Sequence, residues 1–331
     1  MRAAGDPFLV LNGPAGLPAR LRGAVVAIGN FDGVHRGHQA VLERALDQAR
    51  ALSAPAILLT FEPHPRKFFR PDLPLPRLTP APVKAALAQA LGLDAVIVAP
   101  FDATFAAQTA EAFVTGILVG DLGVVHAVTG FDFHFGRNRQ GGPAFLMDAG
   151  ERLGFGVTLV DAYRDEGAEV ISSSRIRELL ASGEIAGANG LLGYRYTVEA
   201  PVIGGERLGR TLGYPTANMS IHEDCPLAPG IYAVRFRRAD GSLHDGVASY
   251  GRRPTVTENG APLLETFLFG FEGDLYGETA RVSLFGFLRG EEKFASLDAL
   301  TDQMRRDEAE ARALLSGVRP LSDLDASIAF P

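Results

Sequence analysis

The side chains best placed for chemistry in this sequence are two histidines three residues apart. His35 and His38 lie in the stretch GNFDGVHRGH, which starts at Gly29 and carries further glycines at positions 33 and 37. An apolar run, AVVAI, precedes the stretch and a helix-like pattern follows it, so the pair marks the passage from a strand to a helix. Glycines let a backbone approach a ligand closely, and a helix start offers free N–H groups and the positive end of a dipole. Two imidazoles there could hold phosphate oxygens and stabilise the charge that builds on them during transfer. The alternative is two polar residues in a surface turn. Zinc suits the pair less, because an i,i+3 histidine pair is short of ligands and no cysteine lies near it.

Three further segments point the same way. TFEPHPRKFF, beginning at Thr60, follows a second strand pattern and carries Glu62, His64 and Arg66 around its prolines. GFDFHFGRNRQGG, beginning at Gly130, follows another strand and sets aromatics beside Arg137 and Arg139. ISSSRIRELL opens a helix with three serines and two arginines, Arg175 and Arg177. Serine hydroxyls, helix N–H groups and an arginine together make a cradle for a triphosphate. Taken singly these are a proline turn, a glycine-rich loop and a capped helix. All four segments fall after strands or at helix starts, where one crevice would gather them, and that favours nucleotide binding.

The second half holds GGERLGRTLGYPTANM, beginning at Gly204, with Arg207 and Arg210 among its glycines. It is not a P-loop, since the GxxxxGK[ST] pattern and its lysine are missing. In PTAN, Thr216 supplies a hydroxyl and Asn218 a carbonyl, both hard oxygen ligands that suit Mg²⁺ beside substrate phosphates. The other reading of PTAN is a strand start after Pro215. Glu265, in LLETFLF, reads either as a base or as a solvent-facing strand carboxylate. Cys225 is the single cysteine, so no intrachain disulfide can form and a cysteine-based zinc site is excluded. It reads as a bystander.

The elements that must position these residues differ between the halves. A chain of 331 residues favours about two domains. From Ala24 to about Ile185, the short Val- and Ile-rich runs AVVAIGNF, AILLTF, AVIV, VVHAVTGF and VTLV alternate with helical patterns. Val41, Leu42, Ala45, Leu46, Ala49 and Leu52 recur at three- and four-residue spacing. This alternation predicts a doubly wound parallel sheet, in which ligands bind at the carboxyl ends of the strands. After about Gly193, YRYTVEAPVIG, GIYAVRF, LHDGVAS, LLETFLFGF and ARVSLFGF read as strands parted by turns, which predicts an antiparallel barrel or sandwich. A closing amphipathic helix is expected from Ser296 as cap, with Leu297, Leu300, Met304, Ala311 and Leu314 as its stripe. The boundary is placed in a helical linker, giving domains 1–186 and 187–331.

Composition narrows the function classes. The hydrophobic share of 47% and charged share of 21% are those of an ordinary globular protein, and a formal net charge of −7 argues against nucleic acid as partner. No stretch offers the ~18 uninterrupted apolar residues of a spanning helix, and the N-terminus lacks a secretory pattern. A cytoplasmic protein without a membrane partner is expected.

In that order, GNFDGVHRGH, TFEPHP, GFDFHFG and ISSSRIR resemble the bacterial bifunctional riboflavin kinase/FAD synthetase family, and the resemblance extends over nearly the whole chain. It implies that the first half is an FMN adenylyltransferase related to the HxGH nucleotidyltransferases, joining FMN and ATP into FAD and pyrophosphate. His35 and His38 would contact the ATP phosphates, with Gly29 and Asn30 close by. Ser173, Ser174 and Arg177 would close over the phosphates from the other side. Asp132 would sit in the catalytic pocket, and Phe61, His64 and Arg139 near flavin or nucleotide. Where the family often has threonine this chain has Ser174, which keeps the hydroxyl.

GRTLGYPTAN, GRRPT and LLETFLF are similar to the riboflavin kinase module, a small antiparallel barrel with a C-terminal helix. The resemblance implies that Thr216 and Asn218 hold Mg²⁺ and ATP, and that Glu265 is the general base on the ribityl hydroxyl. Gly209, Arg210 and Thr211 would belong to a flap over ATP, and Arg289 would sit near the flavin. Two positions depart from the family's pattern: Ser249 stands where it usually has asparagine, and Gly270 where it commonly has aspartate. The expected function is therefore a two-site enzyme that turns riboflavin into FMN and FMN into FAD. A second reading keeps the adenylyltransferase and makes the barrel a non-catalytic flavin sensor. A third, a nucleotidyltransferase for another phosphorylated substrate, fits TFEPHP and GFDFHFG less well.

Overall fold

Val25–Ile28 is buried at every position, as a strand covered on both faces must be, and its neighbours repeat that pattern. The computed structural model describes residues 7–204, 214–252 and 262–331. They fall into two compact units. The first runs up to Leu75 and resumes over Thr79–Ser172; the second comprises Pro76–Leu78 and Ser173–Pro331.

The first unit carries six strands: β1 Leu9–Asn12, β2 Val25–Ile28, β3 Ala56–Glu62, β4 Ala95–Pro100, β5 His126–Gly130 and β6 Gly156–Val160. All pair in parallel, in the order β1-β4-β3-β2-β5-β6. From β2 the chain steps to one side through β3 and β4, then returns to the other side for β5 and β6. The reversal leaves a crevice at the carboxyl ends of β2 and β5. Helix α1, Arg36–Leu52, buries Val41, Leu42, Ala45 and Ala49 and ends at Ser53 in the left-handed conformation. Leu52, expected on that face, is exposed. Around them lie the short α2 Pro65–Phe69, α3 Ala81–Ala90, the single turns α4 Ala103–Ala106 and α5 Ala110–Ala112, and α6 Pro143–Leu153. The sequence reading missed β1: four residues of alternating exposure at the sheet edge give too short a signal.

In the second unit α7 Ser173–Ala181, the helix that ISSSRIR opens, and α8 Ile185–Leu192, within the stretch read from sequence as linker, precede a closed barrel. Its strands are β7 Thr197–Ile203, β8 Thr216–Ser220, β9 Gly230–Arg237, β10 Leu243–Arg252, β11 Pro262–Leu268 and β12 Thr279–Arg289. All pairings are antiparallel, in the order β10-β11-β8-β7-β12-β9, and β9 closes onto β10. Tyr232, Val234 and Phe236 alternate along β9 and are fully buried.

The closing helix α9, Leu297–Ser316, starts where expected, with the Ser296 hydroxyl accepting from the Ala299 N–H at 3.2 Å. Its buried face differs from the expected stripe. Ala311 is buried as expected and Leu314 packs against the same cluster, but Leu297 is 58% exposed, and the helix also turns Asp307 and Leu315 inward. Ala311 and Leu315 pack with Ala233 and Phe285 of the barrel, while Asp307 meets Arg289 in two hydrogen bonds of 2.9 and 2.7 Å. A carboxylate can occupy a buried stripe when a guanidinium is there to pair with it. A second helix, α10 Asp323–Ala329, follows. Arg235 donates to the Ala329 carbonyl at 2.9 Å and Arg237 to the Ile328 carbonyl at 3.0 Å, both in its last turn.

Candidate functional site

In the first unit β2 and β5 pair with Ile28 opposite Thr129. GNFDGVHRGH and GFDFHFG therefore leave the sheet side by side, at the reversal of strand order. The first of these turns is tightly drawn. Phe31 and Val34 take φ values of 48° and 39°, conformations that bulky and β-branched residues adopt at a cost of roughly 1–3 kcal/mol each. Surrounding groups enforce them. The Gly33 N–H donates to the Thr79 hydroxyl at 2.8 Å, the Thr79 N–H to Asp32 Oδ1 at 3.0 Å, and the Gln39 amide to the Val34 carbonyl at 2.7 Å.

His35 then caps α1. Its Nδ1 accepts from the His38 N–H at 3.3 Å, so in this structure His35 is a neutral ring with its proton on Nε2. The two imidazoles stack with centroids 3.7 Å apart. Gly37 permits this, for a Cβ there would lie 3.2 Å from His35 Nδ1 and 3.4 Å from the Tyr163 Cβ. His38 Nδ1 is buried and has no hydrogen-bond partner among the described residues. Burial pushes the His38 pKa well below its ordinary value, and the neighbouring His35 ring and the Lys84 ammonium both disfavour a charge there as well. A neutral imidazole with an unsatisfied nitrogen at a helix start is a group that a ligand completes. Arg36, at the first position of the helix, is held by Glu166 at 2.8 Å.

The other expected residues of this half lie as follows. Gly29 ends the strand, and a Cβ on it would come within 3.0 Å of the Phe31 ring. Asn30 and Asp132 are exposed at the ends of β2 and β5. Phe61 is buried among Phe101 and Phe105. His64 caps α2, its Nδ1 accepting from the Arg66 N–H at 3.1 Å. Arg139 lies 3.2 Å from His134 Nδ1, whose proton is donated to the Asp132 carbonyl at 2.8 Å. Ser173, Ser174 and Arg177 form the first turns of α7 within the second unit, where Arg177 Nε donates to the Pro76 carbonyl. Sequence reasoning missed Thr60, Thr79 and Lys84, which support the turn from behind. The signal for Lys84 was a lone lysine in an otherwise apolar helix, APVKAALAQA.

In the second unit, PTAN is both a strand start and a candidate site, since β8 begins at Thr216. Thr216 and Asn218, two apart, share one face of the strand. Across β11, Glu265 is paired with Asn218 and Phe267 with Thr216; across β10, Ser249 is paired with Glu265. Ser249, Glu265 and Asn218 thus form a row. Asn218 is 4% exposed; its amide nitrogen donates weakly to the Thr216 carbonyl at 3.4 Å, and its Oδ1 has no partner among the described residues. A buried, unsatisfied hard oxygen one strand from a carboxylate fits a Mg²⁺ ligand set. Arg289 is fixed by its two bonds to Asp307. Gly209, Arg210 and Thr211 lie outside the described residues. Cys225 sits near the Tyr196 hydroxyl at 4.0 Å; burial raises its thiol pKa, which makes it a poor nucleophile.

Comparison with known proteins covers both units. The FAD synthetase family model matches residues 17–175, and the riboflavin kinase family model matches residues 192–315. The bifunctional riboflavin kinase/FMN adenylyltransferase of Haemophilus influenzae is 41% identical over 299 residues, spanning 89% of this chain and 96% of its own. Proteins of the same description from Pseudomonas fluorescens and Escherichia coli K12 are 42% and 38% identical, over 88% and 90% of this chain and 93% and 95% of theirs. A crystal structure described as a macrolide-efflux protein from Streptococcus pneumoniae superposes with a TM-score of 0.78 at 29% identity, covering 92% of this chain and 98% of that one. Among the described residues here, no helix is long and apolar enough to cross a membrane.

Proposed function

This chain belongs to the family of bifunctional riboflavin kinase/FMN adenylyltransferases, and from that footing we propose how its residues divide two reactions. The enzyme phosphorylates riboflavin with ATP to FMN and adenylylates FMN with ATP to FAD and pyrophosphate. We assign adenylyl transfer to residues 1–186 and the kinase step to residues 187–331.

In adenylyl transfer the FMN phosphate attacks the α-phosphorus of ATP and pyrophosphate leaves, so no protein nucleophile is needed and catalysis rests on alignment and charge stabilisation. The turn from Gly29 through Asn30 brings backbone close to the phosphates. His35 and His38 give hydrogen bonds to phosphate oxygens from the start of α1. Ser173, Ser174 and Arg177 contribute to phosphate binding. Asp132 works beside the histidine turn of the first unit, with Phe61, His64 and Arg139 near flavin or nucleotide.

In the kinase step the ribityl hydroxyl attacks the γ-phosphorus of ATP. Glu265 takes the proton from that hydroxyl, and Thr216 and Asn218 hold a Mg²⁺, which supplies charge neutralisation on the phosphates when bound. Gly209, Arg210 and Thr211 belong to a cover over ATP, and Arg289 borders the flavin. The enzyme works in the cytoplasm, in keeping with its single cysteine.

The observation that carries this division is that each unit separately holds a buried polar atom awaiting a ligand, His38 Nδ1 in one and Asn218 Oδ1 in the other. A flavin-sensing barrel would need neither a metal-ligating amide nor a carboxylate beside it. The test is incubation with riboflavin, Mg²⁺ and ATP labelled at either the α or the γ phosphate. Label from the γ position is expected in FMN and from the α position in FAD. A protein that leaves riboflavin untouched yet converts supplied FMN to FAD would overturn the kinase assignment.

A further inference from the structure

Lys84 lies on α3, 1% exposed, in a helix whose other buried residues are apolar. Burying an ammonium costs several kcal/mol before its partners compensate, so such a residue is not a neutral way to fill a core. Its Nζ donates to the Asn30 carbonyl at 2.7 Å and to the Thr60 hydroxyl at 3.0 Å, and that hydroxyl lies 3.0 Å from the same carbonyl. Asn30 is the residue from which the strained turn departs: Phe31 follows at φ 48° and Val34 at φ 39°. The ammonium therefore grips the turn at its root, on the side away from solvent.

We propose that Lys84 is a positioning residue for adenylyl transfer, anchoring the Asn30 carbonyl and fixing a positive charge directly behind the phosphate-binding turn. The inference rests on the assignment of that turn to ATP. Lys84 touches no reacting atom. It acts through Asn30, keeping the backbone in the shape that meets the polyphosphate, and through its field, which is strong because little water screens it. The same field bears on His38. The charged and titratable groups acting on that imidazole are His35 from its own helix start and Lys84 from α3, and both disfavour the imidazolium. A core cation with no part in the reaction would hold α3 against the sheet and do nothing more.

The experiment compares full-length wild type, Lys84→Met and His38→Ala, measuring FAD formation from FMN against ATP concentration. Riboflavin kinase activity in the same samples reports that the second unit is folded, and the dispersed amide resonances of the first unit report that the unit bearing Lys84 is folded. For Lys84→Met, KM for ATP in FAD formation is expected to rise about tenfold, the scale of losing a charge-assisted hydrogen bond, with the kinase unchanged within about twofold. The His38 resonance in isotope-labelled protein is expected to titrate at higher pH than in wild type. An inactive His38→Ala beside a Lys84→Met with unaltered KM for ATP and unaltered His38 titration would reduce Lys84 to a core residue and overturn the proposal. A His38→Ala that makes FAD at the wild-type rate would overturn the assignment of the turn, and the role of Lys84 with it. If Lys84→Met also loses the kinase, Lys84→Gln, which keeps a donor but not the charge, is judged by the same two readouts.

Discussion

A neutral imidazole can donate one hydrogen bond and accept another, whereas an imidazolium only donates. His38 stays neutral because protonation would bring a charge into a buried place beside His35 and Lys84. The sign of its effect on stability follows. With the folded pKa depressed, the unfolded chain takes up a proton at residue 38 below about pH 6.5 while the folded chain does not. The contribution is complete above that pH and declines on acidification until His38 itself titrates. His126, also lowered by burial, acts in the same direction. The melting temperature of the first unit should therefore fall as pH drops below 6.5, and His38→Phe should flatten that slope. His38→Ala should stop FAD formation while FMN still accumulates. Glu265→Ala should do the reverse, leaving supplied FMN convertible to FAD. Asn218→Leu should lose FMN formation yet unfold at a higher temperature in the absence of ligand. It removes a buried unsatisfied acceptor, worth about 1 kcal/mol or more. A lower melting temperature would mean that Oδ1 is satisfied in the folded protein.

At the scale of elements, the turns that carry chemistry depend on residues that allow close approach. Gly136 has φ 73°, and a Cβ on it would lie 2.6 Å from the Ala110 backbone nitrogen. Gly136→Ala should cost at least about 2 kcal/mol, read as a lower denaturant midpoint, and should displace the loop that bears Asp132 and Arg139. Ser296→Ala, which removes only the cap of α9, should cost about 1 kcal/mol. The five parallel strands expected from Val- and Ile-rich runs all form; β2, β3, β4 and β5, buried along most of their length, leave the continuous apolar signature of covered strands, while β6 at the edge is only half-buried. β1 is too short and too exposed at the edge to leave one. β8 carries polar Thr216 and Asn218 on one face, so its sequence offered a strand start after Pro215 only as the alternative to a metal site, and the structure shows the strand. The stripe of α9 was misread because its inward face includes Asp307, and only the position of Arg289 makes that burial affordable.

At the scale of the molecule, the two units each carry a core and a candidate site, so each reaction can be tested with the other as its control. In the second unit the C-terminal helix is tied to the barrel by charge. Asp325 is fully buried and accepts from the Arg195 guanidinium, from the Arg195 N–H at 2.7 Å and from the Leu321 N–H at 2.9 Å. Arg195 also lies over the Phe285 and Phe330 rings. Asp325→Ala would leave the buried Arg195 guanidinium without its carboxylate and should destabilise the second unit by about 3–5 kcal/mol, measured by denaturant unfolding.

By itself the sequence determined the two architectures, the strand-to-helix position of His35 and His38, and the residue types at Thr216, Asn218 and Glu265. Those are local properties: periodicity reports which faces are buried, and glycine, proline and capping residues report where the chain turns. Only the tertiary structure decided that GNFD and GFDF emerge from adjacent strands, and that Ser249, Glu265 and Asn218 fall in one row. It alone showed that a buried lysine 54 residues from Asn30 holds its carbonyl. Pairing order and register join segments far apart in the chain, and the spacing of residues along a single segment carries no record of which distant partner it meets.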